Sequence, residues 1–161
     1  MLLMRLYAIA MAARVEIIAR GVIRHGSRVL VCRDLRGGYC YLPGGHVEFD
    51  ESSPDALRRE MQEEAGLDCR VGPLVLVHEQ RFGQQGKRRH EINLMFHVEQ
   101  LLGAPADGEG PPTVTSQEPH IGFEWLEIAA VPEADLRPTA AAAWLLANAD
   151  SATPPTEFIS D

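Results

Sequence analysis

The sequence predicts an α/β domain in which helices cover a mixed β-sheet. Three observations carry this. Five stretches rich in β-branched residues, at 15–23, 28–34, 74–80, 91–100 and 121–126, read as strands. Two helical segments, 54–65 and 138–147, stand between and after them, the alternation expected when helices pack on a sheet. A chain of 161 residues with 45% apolar content suits a single core, and no internal repeat or linker interrupts it.

The first two strands are separated by His25-Gly26-Ser27, a tight-turn signal, so a hairpin is expected. A short aromatic segment, 39–42, then runs into Pro43-Gly44-Gly45, where neither helix nor regular strand continues comfortably. In the central helix Ser53 is the expected N-cap, Pro54 suits the first turn, and Gly66 suits the left-handed residue past the end. The third and fourth strands are linked by the polar, basic stretch 81–89. A loop at 103–120, crowded with Gly, Pro, Asp and Ser, follows; a connection of this length is a functional lid or a disordered insertion. Arg137-Pro138 introduces the terminal helix, and residues 148–161 are expected to be a flexible tail.

Composition narrows the function. With 23 acidic against 15 basic side chains the formal charge is -8, which disfavours a surface built for long nucleic acid. A compact anionic ligand then requires a local metal ion or basic cluster to offset repulsion. Cys32, Cys40 and Cys69 lack zinc or disulfide spacing and read as ordinary thiols in a reducing, cytoplasmic compartment. Residues 1–13 are apolar and end in small residues, but no basic cluster precedes them. They read as an N-terminal extension before a domain at 14–147, with Met4 or Met11 as alternative starts. No apolar run approaches the roughly 20 residues that span a bilayer, so no membrane partner is expected.

The central helix carries the chemistry. At about 100° per residue, Leu57, Met61 and Ala65 fall near 0°, +40° and +80° and form the buried stripe. Glu64, Glu60 and Glu63 fall near -20°, -60° and -120°, beside that stripe instead of opposite it. A generic acidic helix face is solvated. Like charges crowded at the edge of a core instead require a cation, and hard oxygen ligands short of a full cage suit Mg2+ or Mn2+ completed by water and phosphate oxygens.

Residues 45–67, GHVEFDESSPDALRREMQEEAGL, resemble the complete Nudix box: Gly45, Glu51, Arg59, Glu60, Met61, Glu63, Glu64, Gly66 and Leu67 fill every specified place. With fixed residues each near roughly 6% abundance, a chance match is on the order of 10⁻⁸. The resemblance implies a Nudix-type α/β/α sandwich over 14–147 and a hydrolase that cleaves a diphosphate linkage in a nucleotide derivative. It implies Glu60, Glu63 and Glu64 as ligands of Mg2+, which Mn2+ can replace, with the Gly45 carbonyl joining them. Glu51 and Arg59 would brace the loop against the helix.

Outside the box, Glu118 resembles a downstream acid that some family members use as ligand or general base, and Glu91 competes for that role. Arg81, Lys87, Arg88 and Arg89 concentrate positive charge that can steer phosphates or merely solubilise a hairpin tip. Tyr41, Phe82 and Trp125 can stack a base, although aromatics beside strands more often belong to the core. His46, His90 and His97 can assist binding, but no nucleophilic triad is suggested. The substrate class stays open among ADP-ribose, other nucleoside diphosphate sugars, dinucleoside polyphosphates, damaged nucleoside triphosphates and capped RNA. The competing reading is a nucleotide sensor that keeps the fold without catalysis, and a homodimer is a frequent arrangement.

Overall fold

A wedge driven into the first hairpin sets the architecture. The computed structural model describes residues 14–105, 108–152 and 154–161, so the expectations for 1–13 lie outside the described residues. Strands β1 (Val15–His25) and β2 (Arg28–Asp34) pair antiparallel only at Arg24↔Val29 and His25↔Arg28. The expected hairpin therefore exists only beside its turn. Below it, the segment 43–47 takes the place of β2 along β1: Gly21 N donates to Pro43 O (2.8 Å), Ala19 N to Gly45 O (2.9 Å) and Val47 N to Ile17 O (2.9 Å). The backbone groups of β1 are satisfied by a loop, and β2 is free to turn away and pair with β6 (Ile121–Glu127).

On its other side β1 runs parallel to β5 (Lys87–Leu102), with Val15↔His90 through Ile23↔Val98 in register. Strand β5 forms a long antiparallel hairpin with β4 (Asp68–Gln84). The basic stretch 81–89 is therefore not a linking loop. Its polar side chains face solvent while the ladder continues to a two-residue turn, Gln85 and Gly86, both at positive φ (50° and 75°). Short strands β3 (Cys40–Tyr41) and β7 (Leu136–Arg137) and the closing strand β8 (Glu157–Ser160) give the order β7-β3-β2-β1-β5-β4-β8, with β6 on β2. Strand β8 corrects the expected flexible tail. It pairs parallel with Leu76–Glu79 of β4, and the Asp161 carboxylate meets His78 Nε2 at 2.9 Å.

Among the described residues two α-helices and two cores make the sandwich. Helix α1 (Ser53–Ala65) lays Leu57, Met61 and Ala65 on one face with Ala19, Ile23, Leu30 and Phe96. Helix α2 (Thr139–Ala147) and the 3-10 helix Ile128–Ala134 cover the other face, where Trp144, Leu145 and Val131 pack on Val22, Val31, Leu76 and Met95. Each fully buried Leu or Met stabilises by about 1.5–3 kcal/mol. No helix among the described residues is long and apolar enough to cross a membrane.

The N-cap of α1 is Ser52, not Ser53: Ser52 has extended backbone (φ -79°, ψ 155°) and its hydroxyl accepts from Asp55 N, so Pro54 falls one place further into the helix. Gly66 closes the helix in the left-handed region (φ 66°). Ser52→Ala is accordingly expected to lower unfolding free energy by about 1 kcal/mol, and Ser53→Ala by much less. Urea unfolding of both variants checks this; equal losses would overturn the assignment.

Candidate active site

The splayed strands open a cavity of about 740 Å³ beside the N-terminal loop of α1, lined by Gly44, Gly45, His46, Glu60 and Glu64 on one side. Gly45 matters sterically. A Cβ there would collide with the Glu60 carboxyl group, and one at Gly44 (φ 122°) would strike the Ala19 carbonyl. The loop thus lies directly against both the sheet and the helix carboxylates. The Gly45 carbonyl accepts from the Ala19 N–H (2.9 Å), which leaves its second lone pair, and the Gly44 carbonyl accepts from Arg20 Nη1 at 2.5 Å.

Arg59 organises the outer side of the helix. It grips Glu51 through two hydrogen bonds (3.1 and 2.8 Å), donates to the His46 carbonyl (2.9 Å), and reaches Glu60 (3.1 Å) and Glu63 (3.2 Å). Its guanidinium holds the Glu51 carboxyl below the usual range. Glu60 and Glu64 line the cavity, while the Glu63 side chain is 56% exposed and turned toward Arg59. Among the described residues no three acidic, His or Cys side chains form a ready metal cage.

Glu64 is the anomalous group, a carboxyl only 7% exposed. Burial, then the neighbouring charges of Glu60 and Glu118, push it up to about 7; Arg20 and the Gly44 backbone N–H oppose the rise. Its thiol neighbour Cys32, at 3.9 Å, is itself pushed well up by burial and stays protonated. Two adjacent hard-oxygen donors, one strained against ionisation, suit a divalent cation that returns the missing positive charge. The residues present fit such an ion at Glu60 and Glu64.

Residues 15–145 match the NUDIX domain family model. The chain belongs to the Nudix family. It is 54% identical over 43 residues to the 8-oxo-dGDP phosphatase NUDT18 of Danio rerio, covering 27% of this chain and 13% of that protein. It is 37% identical over 68 residues to CTP pyrophosphohydrolase of Escherichia coli (40% and 50% covered), and 29% identical over 92 residues to ADP-ribose pyrophosphatase of Methanocaldococcus jannaschii (55% and 53%). The aligned parts span from 13% to about half of these relatives' lengths. The MutT protein crystal structure from Bacillus halodurans superposes with TM-score 0.68 at 17% identity, covering 89% of this chain and 86% of that one. The solution structure of the E. coli ORF135 protein gives 0.62 at 23% identity, with 88% and 97% covered. Both share the Nudix fold.

The rest of the Nudix cavity mixes expected and unexpected residues. Tyr41, Phe82, Glu91 and Glu118 line it, and Glu118 meets His120 Nε2 at 3.3 Å. Arg81, Arg88 and Arg89 do not join the carboxylates; they line a separate depression of about 480 Å³ with Arg14 and His90, sharing only Phe82 and Gly83 with the main cavity. There Arg89 pairs with Glu16 (3.0 Å) and Arg81 with the Asp161 carbonyl (2.6 Å). Trp125 packs toward the α1 core, its indole N–H donating to Pro112 O, and His90 bonds Glu79. His97 is not among the cavity residues. The composition missed Arg20, Asn93 and Arg137. Arg20 lies over the Tyr41 ring (5.1 Å) and alternates with buried Ile18 and Val22 on β1, a charged residue at an inward position, which was the available signal.

Because the folded Glu64 carboxyl binds its proton more tightly than an ordinary one at 4.5, its stability contribution is full below pH 4.5 and lost as pH rises through about 7. The difference is on the order of 3 kcal/mol. Metal-free Glu64→Gln is therefore expected to be more stable than the parent at pH 8 and about equal at pH 4.5. Thermal melts across this range decide; an unchanged difference at every pH would show that Glu64 is not the strained group.

Proposed function

We propose that this Nudix protein is a Mg2+-dependent hydrolase of a diphosphate linkage in a nucleoside diphosphate derivative, such as ADP-ribose, a nucleotide sugar or a modified nucleoside triphosphate. The observation that carries this reading is the pair Glu60 and Glu64 at the wall of the cavity, one of them buried and pushed up to about 7, facing Arg20. The activities for which relatives are named, a phosphatase and two pyrophosphatases of nucleotides, support the same class.

Glu60 and Glu64 would hold the cation; when bound, it polarises phosphate oxygens and lowers the pKa of a coordinated water. The protein's own groups do the positioning. Arg59, fixed by Glu51, aims the Glu60 carboxylate. Arg20 and Arg137, each set against a tyrosine ring, offer the cavity's positive charge to the phosphates. Glu118 stands at the end of the loop that Gln117 N ties to the Glu64 carbonyl (2.7 Å), and it is the acid we assign as proton acceptor from the attacking water.

Chelation with EDTA is expected to abolish hydrolysis, and added Mg2+ or Mn2+ to restore it, with two phosphorylated products separable by chromatography; full turnover in excess chelator would overturn the reading. Glu118→Gln should lower kcat by roughly 10² to 10⁴ while substrate affinity stays near that of the parent. Glu91→Gln should leave kcat nearly intact. Steady-state kinetics of both variants test the choice, and the reverse pattern would move the base to the strand.

A further inference from the structure

We infer that Asn93 reads the nucleotide base, and that the cavity selects bases presenting a ring N–H beside a carbonyl, as guanine, hypoxanthine and uracil do, over adenine and cytosine. The inference rests on the proposal that this cavity receives a nucleotide. Asn93 lies on β5 at 1% exposure, lines the cavity, and its Nδ2 is buried without a hydrogen-bond partner among the described residues. Buried donors are nearly always satisfied; neither the facing His78, whose Nδ1 is also unpartnered, nor any other described residue satisfies this one, and an acceptor entering the cavity can do so.

The register defines what that acceptor must be attached to. Side chains two apart on a strand share a face about 7 Å apart, so Glu91 and Asn93 stand side by side. Across the ladder Gln80 opposes Glu91 and donates Nε2 to its Oε2 at 2.9 Å, holding the carboxylate in place and leaving Oε1 as an acceptor. The wall therefore offers a carboxylate acceptor next to a carboxamide donor. A ring N–H meets the first and the adjacent carbonyl meets the second. The amino group of adenine or cytosine would instead point a donor at the Asn93 donor. A phosphate does not suit this wall, because Glu91 and Glu118 both line the cavity while Arg20 and Arg137 offer the cationic contacts.

The test is equilibrium binding of GMP, IMP, UMP, AMP and CMP to the full chain in Mg2+, since monophosphates report base preference without turnover. GMP, IMP and UMP are expected to bind at least about tenfold tighter than AMP and CMP. Asn93→Leu, which removes the unpartnered donor, should weaken that preference to what Glu91 alone supplies, at an unchanged or raised melting temperature. Asn93→Asp, of the same shape but accepting, should bring the two groups of nucleotides level, since each then meets one matched and one mismatched contact, and serves where the leucine variant fails to fold. Equal affinity for GMP and AMP in the parent, binding of neither, or a preference undiminished in a folded Asn93 variant would overturn the inference. Absence of diphosphate hydrolysis with the monophosphate preference intact, and weakened on substitution, would remove the proposed function and leave the base assignment standing.

Discussion

The seating of residues 43–47 along β1 is the constraint on which the site depends. Gly44 has no room for a Cβ against the Ala19 carbonyl, and three backbone hydrogen bonds bind the loop where a strand partner would otherwise lie. Three consequences follow from this one contact. Strands β1 and β2 diverge, the space between them becomes a cavity, and helix α1 enters directly above it with Glu60 pressed on Gly45. The substrate-sized opening is therefore made by the backbone itself, not by a missing side chain.

How far this was legible in the sequence depends on how far apart the cooperating residues lie. The box residues are local: helical spacing alone puts Leu57 and Met61 inward and Glu60 and Glu64 beside them, as the structure has them. Glu63 departed because Arg59, one turn away on the same helix, draws its carboxylate outward, a competition that a wheel of angles does not contain. Arg20 and Asn93 were hidden for a different reason. Their meeting depends on the parallel pairing of β1 with β5, which joins residues more than seventy positions apart and leaves no local periodic trace beyond a charged or polar residue at an inward place. The basic hairpin misled in the opposite way. Its composition read as a loop, although polar side chains on a two-stranded ribbon leave the backbone ladder unbroken.

Charge is distributed so that attraction and repulsion act at different places. The chain is acidic overall, yet Arg20 and Arg137 are set inside the main cavity and the hairpin arginines gather around a neighbouring hollow, where Arg89 pairs with Glu16. Arg59 spends its guanidinium on Glu51, Glu60 and Glu63, so it neutralises the rim and not the buried Glu64. The interior carboxyl feels Glu60 and Glu118 against the single opposing charge of Arg20, a local arrangement that favours a cation able to enter with its oxygens satisfied.

Strand β8 bears on association. Without it, residues Leu76–Glu79 of β4 would present a row of free amides and carbonyls, the kind of straight border on which another polypeptide can add itself. With it, the border passes to a four-residue strand, too short to template a neighbour well. Residues 157–160 thus act as a seam along this margin of the sheet, holding the β4 backbone groups that an added polypeptide would otherwise find free.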